Sequence, residues 1–211
     1  MDGGFRILKA LEKQRIAILA SGSGSNAEQI IRHFSGSDLA EVVWVGCNRP
    51  EPKAGVYART RALGIETTSF NAQQLKGGSV LEMLSESNVD WVVLAGFLLK
   101  IPTEIVAHFQ SRMTNIHPAL LPDFGGKGMY GEHVHHAVKS AECLETGMTI
   151  HWVTPEYDKG SVIFQAACSI EQSDDVDDIA AKVTQLEHEY YARIIEALID
   201  DASAQNSLTD G

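Results

Sequence analysis

Arg15-Ile16-Ala17-Ile18-Leu19-Ala20-Ser21-Gly22-Ser23-Gly24-Ser25-Asn26-Ala27 is the stretch on which the fold class turns. Arg15 to Ala20 is short and apolar, as a buried strand is. Ser21 to Asn26 is a Gly/Ser turn. Ala27, Ile30, Ile31 and Phe34 then recur at i, i+3, i+4 and i+7, which marks an amphipathic helix. Strand, glycine turn and helix in that order open a βαβ unit. Two glycines let the turn close tightly and come near a ligand. Ser25 or Asn26 can cap the helix and leave N–H groups aimed at an anion. Ala27 follows Asn26, so the third glycine of a dinucleotide fingerprint is missing, and no P-loop lysine is present. A monophosphate therefore suits the turn better than NAD or ATP, and a side chain at Gly24 is expected to block its approach. A plain, well-capped turn fits the residues equally well.

The same alternation continues outward. Glu41 to Cys47 reads as a second strand, a helix follows from about Lys53 to Leu63, and Ile65 to Phe70 is a third strand. A helix around Val80 to Ser87 precedes Trp91 to Ala95, an apolar run of the kind buried on both faces of a sheet. Pro102 opens a helix through about Phe109, and Met113 to Ile116 is the next strand. Met148 to Val153 and Ser161 to Ile170, joined by the loop Thr154 to Gly160, read as a hairpin. Ile179, Val183, Leu186, Tyr190, Ile194 and Leu198 form one stripe on a helix from Asp177 to about Ile199. The expected fold is α/β and Rossmann-like. A mainly parallel twisted sheet is flanked by helices, with an antiparallel hairpin at one edge and a long C-terminal helix. Residues 1–200 are expected to form a single domain and 201–211 a frayed, disordered tail.

Of 211 residues, 17 are Lys or Arg and 28 are Asp or Glu, a formal net charge of -11 that argues against a nucleic-acid surface. Cys47, Cys143 and Cys168 are odd in number and widely spaced, which suggests neither a disulfide framework nor zinc, and makes reduced thiols in the cytoplasm the expectation. No apolar run reaches membrane-spanning length, and Met1 to Lys13 contains no signal-peptide core.

Thr114-Asn115-Ile116-His117-Pro118 lies just past the C-terminal end of a strand, where open α/β sheets bind ligands. Strand alternation puts Asn115 and His117 on one face, and Pro118 turns the chain out of the sheet. A carboxamide beside an imidazole suits acyl transfer: the amide donates to a developing oxyanion while the histidine handles a proton. An isolated histidine at a strand end is more often structural. Asp158, in the loop Thr154 to Gly160, could orient His117 or could simply be a turn aspartate.

Ser21 to Asn26, then Val93-Leu94-Ala95-Gly96-Phe97, Asn115 to Pro122, Asp158-Lys159-Gly160 and Leu186-Glu187-His188 occur in an order that resembles the phosphoribosylglycinamide formyltransferases, a folate-dependent formyltransferase family. The resemblance runs from about residue 15 to 200. It implies transfer of the formyl group of 10-formyltetrahydrofolate to the amine of glycinamide ribonucleotide, with no metal and no covalent enzyme intermediate. Asn115, His117 and Asp158 match the family's catalytic trio, the first two stabilising the tetrahedral intermediate and Asp158 holding His117. Gly24, Ser25 and Asn26 match the phosphate loop, and Glu187, with Pro118, the ribonucleotide site. Phe97, Leu98, Leu99, Lys100 and Ile101, with Thr154, Pro155, Glu156 and Tyr157, match the folate wall. His133, His135 and His151 are placed as support of the cleft. Partners are expected to be these small molecules alone, with no nucleic acid and no membrane, and the chain a monomer or homodimer.

The chain departs from the pattern at Leu99, where the family often carries Arg or Lys, and in the glycine-rich stretch Gly125 to Gly131, a mobile flap or a variant surface loop. Methionyl-tRNA formyltransferases are longer and need positive charge for RNA. Formyltetrahydrofolate hydrolases carry an N-terminal regulatory domain, and only about a dozen residues precede the first strand here. Zinc held by His117, His133, His135 and His136 is a weaker reading, because i and i+2 on a helix do not share a face. A non-catalytic nucleotide-binding module is the third.

Overall fold

The computed structural model describes residues 13–51 and 53–209, so the N-terminal segment read above lies almost wholly outside the described residues. The parallel half runs β1 (Gln14–Ala20), α1 (Ser25–Phe34), β2 (Ala40–Cys47), α2 (Val56–Ala62), β3 (Thr67–Ser69), α3 (Ala72–Lys76), α4 (Ser79–Glu86), β4 (Trp91–Leu94), α5 (Thr103–His108) and β5 (Met113–His117). Then come α6 (Glu132–Ser140), β6 (Glu145–Trp152), β7 (Val162–Ser169) and α7 (Val176–Thr209). One seven-stranded sheet has the order β3-β2-β1-β4-β5-β6-β7. The pairs among β1 to β5 are parallel, while β5–β6 and β6–β7 are antiparallel. The expected mainly parallel sheet with an antiparallel hairpin at one edge is what forms.

Alternation along β1 distributes its side chains to two apolar layers. Ile16, Ile18 and Ala20 pack with α1, α2 and α7 through Ile30, Phe34, Tyr57 and Ile195. Ala17 and Leu19 pack on the other face with Leu84, Ile105 and Phe109. Both faces being covered is the reason these strands read as continuous apolar runs. The chain leaves β1 toward β2 and β3, then returns across the sheet to β4. The ends of β1 and β4 therefore flank the point where the strand order reverses, the usual place for a ligand crevice.

Boundaries differ from expectation where backbone partners decide them. The second helix starts at Val56, not near Lys53, with the Val56 N–H donating to Gly22 O at 3.2 Å. The third strand shrinks to Thr67–Ser69 because Ile65 N–H turns back to Thr60 O at 3.0 Å. The first strand of the hairpin reaches back to Glu145, where the pattern had begun at Met148. Helix α7 starts at Val176, where Asp175 and Asp178 accept each other's N–H at 2.9 and 3.0 Å. It runs past Ile199 to Thr209: Ala202 packs on the core and Ser203 Oγ donates to Ile199 O at 2.8 Å. Helix α3 is an addition to the sequence reading, and α6 gives bounds to the helix on which His133, His135 and His136 were placed. Among the described residues, no helix is long and apolar enough to cross a membrane.

Candidate functional site

The C-terminal ends of β1, β4 and β5 open into one cleft of about 670 Å³, a size typical of small-molecule sites. Its walls include the turn Ser21–Asn26, the segment Phe97–Ile101, the strand end Asn115–Pro118, the glycine-rich loop from Gly126 to Gly131, and Thr154–Asp158. Glu187 closes it from α7. The residues expected at the phosphate, ribonucleotide and folate sites thus converge. His135 lines the cleft too, but His133 does not; it is exposed, with its ring edge-on to Tyr130.

Where the cleft meets the antiparallel edge, β5 and β6 pair so that Asn115 lies opposite His151. His151 Nδ1 is 2.9 Å from Trp152 O. A carbonyl only accepts, so Nδ1 carries a proton, and in the neutral ring Nε2 is the acceptor. To the neutral ring Asn115 Nδ2 donates at that Nε2, 3.0 Å away, which fixes the amide and leaves its second N–H unused by His151. His117 is built by the same logic. Its Nε2 donates to Phe124 O at 2.8 Å, so in the neutral ring Nδ1 carries a lone pair, 3.7 Å from Asp158 Oδ2. The other oxygen of Asp158 lies 3.6 Å from His151 Nε2.

Asp158 sits in the left-handed region, φ 51, in the turn after β6. The turn reading and the His117-orienting reading describe the same residue: the turn presents the carboxylate between two imidazoles. Gly126 N–H donates to its Oδ2 at 2.8 Å. Burial raises the Asp158 pKa, but the His151 ring, the Gly126 N–H and His117 outweigh it, and the carboxyl is held below its ordinary range. Burial lowers the His117 pKa more than Asp158 and the Phe124 carbonyl raise it. At neutral pH the pair is a neutral imidazole facing a carboxylate, so a proton arriving at Nδ1 creates an ion pair.

The phosphate-type turn departs from expectation. Neither Ser25 nor Asn26 caps α1; the N-cap is Gly24, φ 77, with no side-chain cap. Asn26 instead donates Nδ2 to Glu187 Oε2 at 2.8 Å, leaving its buried Oδ1 without a protein partner among the described residues. Desolvation raises the Glu187 pKa, and the Asn26 hydrogen bond opposes it. The uncapped start leaves helix N–H groups free for an anion. Gly24 has a packing reason beside the ligand-facing one expected: a Cβ there would lie 2.6 Å from Val56 Cα, so packing against α2 by itself excludes a side chain. At Gly22 a Cβ would meet nothing within 4 Å.

Several contacts in the cleft were not read from the sequence. His151 was placed only as support, yet it bonds Asn115 directly. The Phe124 carbonyl and Gly126 N–H that hold His117 and Asp158 are backbone groups, whose side-chain identities carry no signal; the glycine-rich stretch was the sole pointer to them. Among the described residues, no group of three or more His, Cys, Asp or Glu is placed to hold a metal.

The formyl transferase family matches this chain over residues 14–195. The chloroplastic phosphoribosylglycinamide formyltransferase of Arabidopsis thaliana is 35% identical over 194 residues, covering 90% of this chain and 66% of the plant protein. The chain therefore spans just under two thirds of that relative's length. The Bacillus subtilis phosphoribosylglycinamide formyltransferase is 29% identical, covering 88% of this chain and 95% of that protein. A crystal structure of phosphoribosylglycinamide formyltransferase from Bacillus halodurans superposes with a TM-score of 0.80 at 32% identity, over 90% of this chain and 97% of that one.

Proposed function

The chain belongs to the formyl transferase family, and on that premise we propose that it moves a formyl group from 10-formyltetrahydrofolate to the amine of glycinamide ribonucleotide in purine synthesis. The observation that carries the proposal is the Asp158 carboxylate between His117 and His151, at 3.7 and 3.6 Å, with Asn115 bonded to one of them beside an uncapped helix start.

The steps follow from what each group can donate or accept. The ribonucleotide phosphate rests on the free N–H groups of the Ser21–Asn26 turn, and Glu187 and Asn26 Oδ1 receive donors from the rest of that substrate. The folate lies against Phe97–Ile101 and Thr154–Tyr157. The amine nitrogen attacks the formyl carbon, forming a C–N bond and a tetrahedral oxyanion. Asn115 donates its remaining N–H to that oxygen; one such donor is worth about 3–4 kcal/mol in a transition state. His117 Nε2 is committed to the Phe124 carbonyl, so the Nδ1 lone pair is what takes the amine proton, with Asp158 stabilising the imidazolium, which adds positive charge beside the oxyanion. Collapse breaks the bond to the folate nitrogen, which receives the proton. No metal takes part in this scheme. We further propose that the chain acts as a single domain and that the chemistry takes place in the cytoplasm.

Absorbance-monitored transfer from 10-formyl-5,8-dideazafolate to glycinamide ribonucleotide tests the proposal. Turnover that needs the amine is expected. Deformylation at the same rate without the amine would make the chain a hydrolase, and no reaction with either would remove the proposal.

A further inference from the structure

The peptide planes of the phosphate-type turn are set from outside the cleft, by helix α2, and we propose that Arg59 is a positioning residue for the turn's anion-binding N–H groups. The inference rests on the reading above that the turn receives a phosphate. In a trans peptide, the C=O and the following N–H point to opposite sides. Gly22 O accepts from Val56 N–H at 3.2 Å, and Ser23 O accepts from Arg59 Nε–H at 3.1 Å. Both carbonyls therefore face α2. The N–H groups of Ser23 and Gly24, on the far sides of the same two planes, face the cleft that these residues line. A carbonyl released from its donor can rotate inward, and its partial negative charge then opposes a phosphate. Val56 acts through its backbone, so Arg59 is the donor that a side-chain substitution can remove.

The guanidinium is itself held in place. Arg59 Nη1 pairs with Glu28 in the first turn of α1, and Glu28 also accepts from Arg32 at 2.9 and 3.1 Å. Close approach of α2 depends on Gly55, where a Cβ would lie 3.0 Å from Ser23 O. An ion pair as exposed as Arg59–Glu28, with the Arg59 side chain 44% accessible, adds little to stability. What distinguishes this one is the loop carbonyl it holds.

Titration calorimetry with ribose 5-phosphate as the probe, on the full chain, tests the role. Arg59→Ala is expected to weaken the probe about tenfold, the scale of one charge-assisted hydrogen bond. Arg59→Lys should restore most of the affinity, because an ammonium can still donate to Ser23 O. The KM for the formyl donor and kcat at saturation should stay within about twofold. In amide NMR spectra, the Ser23 and Gly24 signals should move in Arg59→Ala and return in Arg59→Lys. Unchanged probe affinity in Arg59→Ala, or equal weakening of both substrates, overturns the assignment. If Arg59→Ala does not fold, Glu28→Gln, which frees the guanidinium, should still weaken the probe about threefold, and no change there overturns it. A wild type that binds no ribose 5-phosphate removes the phosphate reading as well; a wild type that binds it no better than Arg59→Ala removes this inference alone.

Discussion

The Ser21–Asn26 turn offers a ligand mostly backbone groups from one contiguous stretch. The Asn115–His117–His151–Asp158 cluster instead gathers side chains from β5, β6 and the loop after β6, and aligns them with the Phe124 carbonyl and the Gly126 N–H. A site of the first kind depends on where the chain runs; one of the second depends on which atoms the side chains carry. The two should therefore fail differently: substitutions in the cluster should cost turnover with binding retained, and substitutions in the turn should cost binding or folding.

The largest expected effect is in the cluster. Asn115→Ala and His117→Ala should each lower kcat by a factor on the order of 10² to 10³. Ribose 5-phosphate affinity, measured by calorimetry, should stay within about threefold. Loss of that affinity in step with kcat would merge the two regions into one. Next comes Gly24→Val. A β-branched residue at φ 77, with its Cβ against Val56 Cα, should lower unfolding stability by about 2–4 kcal/mol. Urea denaturation checks this, and a fully stable variant with weakened phosphate binding would return Gly24 to the purely ligand-facing role first expected of it.

A smaller effect concerns pH. Burial lowers the His117 pKa below its ordinary 6.5, so the ring is neutral and able to accept a proton at pH 7. Falling pH protonates it, and kcat/KM should drop along a limb that lies below 6.5, approaching about tenfold per unit. The same sign applies to stability: this histidine's contribution is present above its unfolded pKa and is lost as pH falls through the lowered folded one. An acid limb above the ordinary histidine value would contradict the burial argument. Smallest of all, Gly22→Ala places a methyl where no atom lies within 4 Å. Its thermal midpoint should be unchanged within about 2 °C, and any loss of ribose 5-phosphate affinity would report on ligand approach alone.

The contrast also explains how far the amino-acid order could be read. β1, the turn and α1 were legible because strand alternation, glycine and helical spacing are all local. Asn115 and His117 were legible as a pair for the same reason. The reach of Asp158 to His117 was decided only by the family resemblance, since it depends on β6 lying beside β5 and on a loop conformation 41 residues away in the chain (158 minus 117). α3 was missed because its one buried residue is Leu75, too little for a periodic signal. The bounds of α6 were not read, because its start at Gly131 has no side-chain cap. The capping expectation failed at Asn26 because the helix already begins at Ser25, after the Gly24 N-cap, so Asn26 lies inside the first turn, where its Nδ2 donates to Glu187 on α7.

Asp158→Asn separates the two regions most directly, since it keeps the shape of the side chain and removes the charge that faces His117. Turnover of 10-formyl-5,8-dideazafolate with glycinamide ribonucleotide and calorimetric affinity for ribose 5-phosphate should be measured on the same preparation. The account predicts kcat reduced at least a hundredfold, on the order expected for loss of a group that orients and charges a proton-transfer histidine, with affinity unchanged. Turnover near the wild-type rate would contradict it.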